Sequence, residues 1–78
     1  MATERSEEVN MRTIAAERAL RSMSQADLAN ELGVSRLTVA RWELGESTPS
    51  VETITKIADF FGVSTDYILG RSMERLPR

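Results

Sequence analysis

SQADLANELGVSRLTVARWELG, residues 24–45, contains the signals that decide the fold. Ser24 is a good helix N-cap, and Asp27, three positions later, completes a capping box in which Asp replaces the usual Glu. Apolar residues follow at helical spacing, and Gly33 is typical of a residue that ends a helix in the left-handed backbone conformation. The first half of this stretch therefore predicts a helix over about residues 25–32.

A tight turn and a second helix complete the stretch. Ser35 can cap a helix over about residues 36–44, and Gly45 ends it. Ala29 suits a close crossing of the two helices because it is small, and Val39, ten residues later, directs the second helix into the core. The helices then cross at a steep angle, which leaves one face of the second helix exposed. The pattern predicts a helix-turn-helix unit whose second helix can fill a core, contact an external partner, or do both.

Helices are also predicted on both sides of this unit. A first helix over about residues 10–22 is indicated by apolar residues at helical spacing, namely Met11, Ile14, Ala15, Ala19 and Leu20. A fourth helix follows Ser50 and ends before Gly62, and a short fifth helix covers about residues 65–69.

The expected fold class is all-α, because no segment alternates polar and apolar residues as a strand does. We expect a compact domain of five helices over residues 10–70. Residues 1–9 are expected to form a flexible or partly helical leader, and residues 71–78 a frayed tail.

Composition argues against catalysis and metal binding. The 78 residues contain no cysteine and no histidine, which removes disulfides, thiolate and imidazole metal ligands, and Cys or His catalysis. The net charge of −2 is unusual for nonspecific nucleic-acid binding, although arginines concentrate in the first half of the domain. No apolar run approaches the length of a membrane span, and no signal peptide is evident. We expect a cytoplasmic protein that is not an enzyme and has no cofactor, metal, membrane partner or small-molecule substrate.

Several short motifs occur in the order and at the spacing of a known family. They are "SQADLA", "GVS", "RWE.G", "PS" and "I.KIADFFGVS.DYILG", within about residues 11–70. The chain resembles the Cro/repressor-type helix-turn-helix proteins, also called the xenobiotic-response-element family. This resemblance implies a domain of the phage-repressor DNA-binding type, in which the second helix crosses the DNA backbone and the third helix enters the major groove.

Three side chains of the third helix are candidates for reading bases: Arg36, Leu37 and Arg41. The two arginines match family positions that contact bases, and arginine can donate hydrogen bonds to guanine O6 and N7. Leu37 cannot join the face of Val39 and could pack on a thymine methyl group. The alternatives are solvated surface arginines and an isolated surface leucine. Trp42, three residues from Val39, is expected to point into the core rather than to stack on a base.

A second group of polar side chains is expected at or near the DNA backbone: Gln25, Ser35, Thr38, Ser47, Thr48 and Ser50. The resemblance implies that Gln25 contacts a phosphate or braces a recognition side chain. Hydroxyls and free amides in the loop after the third helix can bind phosphate. Glu46 departs from the family pattern, because many relatives carry Lys or Arg in this loop, and its carboxylate would repel phosphate.

The resemblance also implies a structural ion pair and a dimer. Arg18 and Glu43 occupy positions where the family pairs an arginine of the first helix with a glutamate at the end of the third, so the pair would orient the recognition helix. Relatives often self-associate through their C-terminal end, where this chain has surplus apolar residues. The dimer candidates are Phe60, Tyr67, Ile68, Met73 and Leu76, whereas Phe61, Val63 and Leu69 are expected in the core.

These features favour a sequence-specific DNA-binding transcriptional regulator, with double-stranded DNA as its partner. The favoured form is a repressor that binds a palindromic operator as a homodimer, with its recognition helices about 34 Å apart. The alternative is an antitoxin or antirepressor-type module, whose main partner is another protein and which also binds its own operator. The acidic net charge and the small size suit this second reading.

Overall fold

The computed structural model describes residues 11–71, which form five α-helices. They are α1 (Arg12–Leu20), α2 (Gln25–Leu32), α3 (Arg36–Leu44), α4 (Val51–Phe61) and α5 (Thr65–Ile68). Residues 11–71 contain no strand, so the all-α fold class is confirmed. The predicted leader, the predicted start of the first helix and most of the predicted tail lie outside the described residues.

Four helices begin with the same serine cap. The Oγ atom of the serine before each helix accepts a hydrogen bond from the backbone N–H three residues later. The four caps are Ser24, Ser35, Ser50 and Ser64. At α2, the Asp27 carboxylate also accepts a hydrogen bond from the Ser24 N–H at 3.0 Å, which completes the predicted capping box. These caps make Gln25 and Arg36 the first residues of α2 and α3.

The turn between α2 and α3 depends on the backbone conformation of Gly33. Its φ is 73°, and a Cβ atom added there would meet nothing within 4 Å, so conformation rather than crowding selects glycine. The Val34 N–H donates to the Ala29 carbonyl at 3.0 Å across this turn. This bond closes the C-terminus of α2 and leaves only three residues before α3 begins.

Helix α1 ends at Leu20, two residues before its predicted end. Ser22 has a φ of 55°, and it is the only non-glycine residue within residues 11–71 with a positive φ. The Ser22 and Met23 N–H groups donate to the carbonyls of Ala19 and Arg18 at 3.1 and 2.9 Å. The helix therefore has a left-handed stop like the others, but without the glycine that would mark it in the sequence.

The hydrophobic core receives side chains from every helix. Val39 and Trp42 of α3 are buried in it, as predicted. Ala19 and Leu20, whose spacing indicated the helix, are exposed on α1, Leu20 to 69%. The buried hydrophobic residues are Met11, Ile14, Leu28, Ala29, Leu32, Val39, Trp42, Ile54, Ile57, Ala58, Phe61, Val63 and Ile68.

Helix α1 also carries a fully buried carboxylate, Glu17. Its Oε1 atom accepts a hydrogen bond from Arg21 Nη1 at 2.6 Å, and its Oε2 atom accepts one from the Tyr67 hydroxyl at 3.0 Å. Arg21 Nη2 also donates to the Phe61 carbonyl at 2.7 Å, and the guanidinium lies 4.7 Å from the centre of the Phe61 ring. The polar cluster thus ties α1 to the end of α4 and to α5.

Ile68 is unavailable to a dimer partner, so its prediction as a dimer candidate is wrong. Its side chain is fully buried in the core of the single chain, and its carbonyl accepts a hydrogen bond from Thr13 Oγ1 at 2.8 Å. Helix α5 ends here rather than one residue later. Phe61 and Val63 are buried as expected, and Leu69 packs against the core while partly exposed.

No helix in the described part of the chain is long and apolar enough to span a bilayer. Residues 11–71 likewise hold no group of three Asp, Glu, His or Cys side chains that could bind a metal ion.

Candidate nucleic-acid interface

Helix α3 has a buried side and an exposed side. Val39 is fully buried and Trp42 is 5% exposed, so these two side chains anchor the helix. Leu37 and Arg41 are exposed and lie one turn apart on the same stripe of the helix, and Leu37 is 49% exposed. Arg36 is exposed at the N-terminal end of the helix. The exposed edge therefore combines two guanidinium groups with one apolar side chain, a set that can match base edges and thymine methyl groups.

A two-point ion pair joins α3 to α1. Arg18 Nε donates to Glu43 Oε2 at 2.7 Å, and Arg18 Nη2 donates to Glu43 Oε1 at 3.0 Å. Arg18 Nη1 donates to the Met23 carbonyl at 2.8 Å, which fixes the guanidinium from its other end. The hydrogen bond to Glu43 raises the pKa of Arg18 above its ordinary value, although partial burial acts in the opposite direction. The pair that the family resemblance implied is therefore present, and it links the C-terminal half of α3 to α1.

Gln25 extends this pair to the exposed edge of α3. Gln25 Nε2 donates to Glu43 Oε1 at 2.9 Å, and Arg36 Nη1 donates to Gln25 Oε1 at 3.1 Å. Four side chains from three helices thus form one continuous chain of hydrogen bonds, in the order Arg18, Glu43, Gln25, Arg36. The sequence left two roles open for Gln25, a phosphate contact or the bracing of a recognition side chain. The hydrogen bond with Arg36 matches the bracing role.

The hydroxyl residues expected near the DNA backbone lie at two helix starts and one loop. The Ser35 Oγ atom caps α3 and lies 2.9 Å from Thr38 Oγ1. Ser50 Oγ caps α4 and donates to Thr53 Oγ1 at 3.0 Å. The remaining two, Ser47 and Thr48, are exposed in the loop between α3 and α4. The caps therefore already use the oxygen atoms of their serines, whereas the loop hydroxyls face solvent.

Glu46 is the acidic residue of that loop. It is exposed, and its backbone N–H donates to the Arg41 carbonyl at 2.9 Å, so the loop starts directly against the last turn of α3. A carboxylate at this place lowers the electrostatic attraction of the loop for phosphate.

The sequence did not predict the hydrogen bond that Glu43 accepts from Gln25. Glu43 and Gln25 are 18 residues apart and lie on different helices, so helical periodicity carries no signal for their contact. The signals for Gln25 were its position directly after a serine cap and the family resemblance, which allowed it to brace a recognition side chain.

Several curated relatives are named as regulators of transcription. An uncharacterized HTH-type transcriptional regulator of Methanocaldococcus jannaschii is 49% identical over 51 residues, which are 65% of this chain and 77% of that protein. The SPbeta prophage-derived uncharacterized HTH-type transcriptional regulator YonR of Bacillus subtilis is 36% identical over 52 residues, 67% of this chain and 48% of YonR. The cryptic phage CTXphi transcriptional repressor RstR of Vibrio cholerae is 36% identical over 58 residues, 74% of this chain and 52% of RstR. The chain thus spans about half the length of the latter two. No solved structure matches it significantly.

A helix-turn-helix family model matches residues 14–68. This range begins in α1 and ends at the last residue of α5, so it includes the capped α2–α3 unit and both partners of the Arg18–Glu43 pair. The chain therefore belongs to the Cro/C1-type helix-turn-helix family.

Proposed function

We propose that this protein is a sequence-specific DNA-binding transcriptional regulator whose helix α3 reads the major groove. The observation that carries the proposal is the exposed edge of α3 on a helix that is held firmly in place. Val39 and Trp42 anchor one side, and Glu43 is bound by Arg18 of α1. A fixed helix with exposed donors is what direct readout of the groove requires. Membership of the helix-turn-helix family and the names of the relatives support the same function.

Each exposed side chain has a proposed role that follows from its chemistry. Arg36 and Arg41 donate hydrogen bonds to acceptors on base edges, and Leu37 packs on a thymine methyl group. The N-terminal amides of α2 and the exposed hydroxyls of Ser47 and Thr48 bind phosphate and set the position of α3. In this arrangement Gln25 acts mainly on Arg36, because it already holds that side chain.

The regulator is proposed to act as a homodimer on a palindromic operator, and to repress transcription there. The proposed dimer surface includes Phe60 of α4, which is 41% exposed, and the half-buried Tyr67 of α5. Met73 and Leu76 extend this proposal into the chain outside the described residues. A two-fold dimer would place the two α3 helices about 34 Å apart, one turn of DNA.

A protein partner remains the second candidate function, in the manner of an antitoxin or antirepressor. Two observations favour it: the net charge of −2 and the exposed carboxylate of Glu46 beside α3. Both weaken the electrostatic attraction of the protein for the DNA backbone, so base contacts would have to supply more of the binding free energy.

Selection of duplexes from a random pool at about 50 mM and about 200 mM salt tests the DNA-binding proposal. We expect one palindromic sequence to be enriched at both salt concentrations, because base contacts persist when phosphate contacts weaken. Equal, weak binding of all duplexes that disappears at the higher salt concentration would contradict specific recognition and favour the protein-partner function.

Arg41→Ala separates base reading from backbone contact. A base contact predicts a loss of about 1–3 kcal/mol at one position of the selected site, and little change at the others. Uniform weakening over all sites would instead make Arg41 a phosphate ligand. Lys56→Ala is the matched control, because Lys56 is an exposed cation on α4 rather than on α3.

A further inference from the structure

Three exposed residues of α3 lie on one stripe of the helix. They are Leu37, Arg41 and Leu44, and the two leucines are 49% and 72% exposed. Spacings of four and three residues bring these side chains to the same face of an α-helix. An arginine thus lies between two apolar side chains on the outer surface of α3. A ligand of this stripe has to accept hydrogen bonds from a guanidinium group and cover apolar surface at the same time.

Helix geometry directs the side chain of Arg41 toward Leu37. Long side chains of an α-helix point back toward its N-terminus, and Leu37 lies on the turn before Arg41. The Arg41 side chain makes no hydrogen bond or ion pair within residues 11–71, so its N–H donors are available to a ligand. Arg36, the other exposed arginine of α3, donates instead to Gln25 of α2 at 3.1 Å. Arg41 is therefore the arginine that shares its surface with Leu37.

In the major groove, these two side chains match two different chemical groups. Guanine offers the O6 and N7 acceptors to arginine, and the C5 methyl group of thymine is the apolar group of the groove. Cytosine carries the same methyl group only after methylation at C5. Side chains one helical turn apart have Cβ atoms about 5–6 Å apart, and successive base pairs lie about 3.4 Å apart. The methyl group and the guanine must therefore belong to the same base pair or to neighbouring ones.

We infer that Leu37 and Arg41 together recognise a 5-methylpyrimidine beside a guanine, so that methylation of a cytosine at this position strengthens binding. The inference rests on the proposed DNA-binding function and adds the chemical class of the base that α3 selects. Hydrogen bonds do not distinguish cytosine from 5-methylcytosine, because both present the same N4 donor in the groove. The distinction comes from the exposed apolar surface of Leu37, which the methyl group removes from water.

The competing partners for this methyl group are Thr38 and Ala40, two half-buried residues beside the stripe. Threonine and alanine can both contact a thymine methyl group. Leu37 is more exposed than either and offers the larger apolar surface. The hydroxyl of Thr38 also lies 2.9 Å from Ser35 Oγ, so that side of Thr38 faces the helix cap. A test has to show that the response to the methyl group depends on Leu37.

The experiment uses the duplex selected above, in which the base pair affected by Arg41→Ala marks the position of Arg41. Each thymine at or next to this base pair is replaced by deoxyuridine, which removes only the methyl group. We expect one replacement to weaken binding about three- to fivefold, the effect of one buried methyl group. Cytosine and 5-methylcytosine are then compared at the same position, and the methylated duplex should bind more tightly by a similar factor.

Leu37→Ala removes the apolar partner and keeps Arg41. Both methyl effects should disappear in this variant, while the preference for guanine remains. Leu44→Ala is the matched control, because it removes another exposed leucine from the same stripe on the other side of Arg41. Both methyl effects should persist in it. Circular dichroism verifies that the two variants fold.

The outcomes distinguish the inference from the proposed function. Methyl effects that persist in Leu37→Ala overturn the role of Leu37, and effects that disappear equally in Leu44→Ala overturn its pairing with Arg41. Equal or weaker binding of the methylated duplex overturns the recognition of 5-methylcytosine, while specific DNA binding stands. A base other than guanine at the position of Arg41 also overturns the inference alone. Failure to select any sequence overturns the proposed function, and with it the inference.

Discussion

The Tyr67 hydroxyl donates a hydrogen bond to Glu17 Oε2 at 3.0 Å and so joins α5 to a fully buried carboxylate of α1. The other oxygen of Glu17 accepts from Arg21 at 2.6 Å. A carboxylate can be buried at acceptable cost only when such partners surround it. The next residue along α1, Arg18, binds Glu43 of α3. Two neighbouring residues of α1 thus connect the C-terminal end of the domain to the recognition helix.

Tyr67→Phe removes one hydrogen bond of Glu17 without changing the shape of the ring. We expect the free energy of unfolding to fall by about 1–3 kcal/mol, because a buried carboxylate loses one of its hydrogen-bond donors. Urea denaturation followed by circular dichroism measures this change. Thr55→Val, which removes an exposed hydroxyl of α4, is the control and should cost less. An unchanged midpoint in Tyr67→Phe would show that this hydrogen bond does not contribute to stability.

Ser22→Gly should stabilise the protein. Ser22 has a φ of 55°, a conformation that glycine adopts without the steric strain of a side chain. We expect a gain of about 0.5–1 kcal/mol, visible as a higher midpoint of thermal unfolding. Ser47→Gly is the matched control, since Ser47 is exposed in a loop and has no positive φ. A loss of stability in Ser22→Gly comparable to that of the control would rule out strain at this turn.

Much of the fold could be predicted because its signals are local. A serine cap and a terminal glycine each act within one helical turn, so the bounds of α2 and α3 follow from the sequence alone. The end of α1 could not be predicted, because Ser22 adopts the left-handed conformation that glycine usually occupies at the end of a helix.

The errors in the core and in the site have a different origin, namely contacts between residues far apart in the chain. A charged residue such as Glu17 is expected on the surface, and hydrogen bonds from Tyr67, 50 residues away, and from Arg21 offset the cost of its burial. Ile68 was expected on a dimer surface because apolar residues seemed in excess at that end, but it fills the core beside α1. The exposed positions of Arg36, Leu37 and Arg41 followed correctly from periodicity and from the family resemblance.

The Arg18–Glu43 pair should stabilise the protein over a wide range of pH. We expect Arg18→Met to lower the free energy of unfolding by about 2 kcal/mol, less than for a fully buried pair because both side chains retain some exposure. The pKa of Arg18 is raised in the folded state, so the stabilisation is present below the unfolded-state pKa and is lost only as the pH rises through the higher folded-state value.

Urea denaturation of the wild type and of Arg18→Met at about pH 7, 8.5 and 10 tests this expectation, because all three lie below the pKa of arginine. The difference between the two proteins should stay constant. Arg41→Met provides the control, since Arg41 is exposed and has no ion pair within the described residues. A difference that shrinks towards pH 10 would contradict the direction of the pKa change.

Glu46→Lys should strengthen DNA binding if the loop after α3 lies near the backbone. Glu46 is exposed directly after the last turn of α3, and its replacement exchanges repulsion of phosphate for attraction. We expect affinity for the selected duplex to increase about fivefold at about 100 mM salt, and the slope of log K against log salt to steepen by about one. Binding to a scrambled duplex should increase by a similar factor, because phosphate contacts carry no sequence information.

Asp59→Lys is the control, because it makes the same charge change near the far end of α4, roughly 12 Å along the helix from Val51. It should leave the slope of log K against log salt nearly unchanged, because the added charge is screened over that distance. Equal effects of the two substitutions would mean that only the net charge matters, and that the loop carrying Glu46 does not approach the DNA.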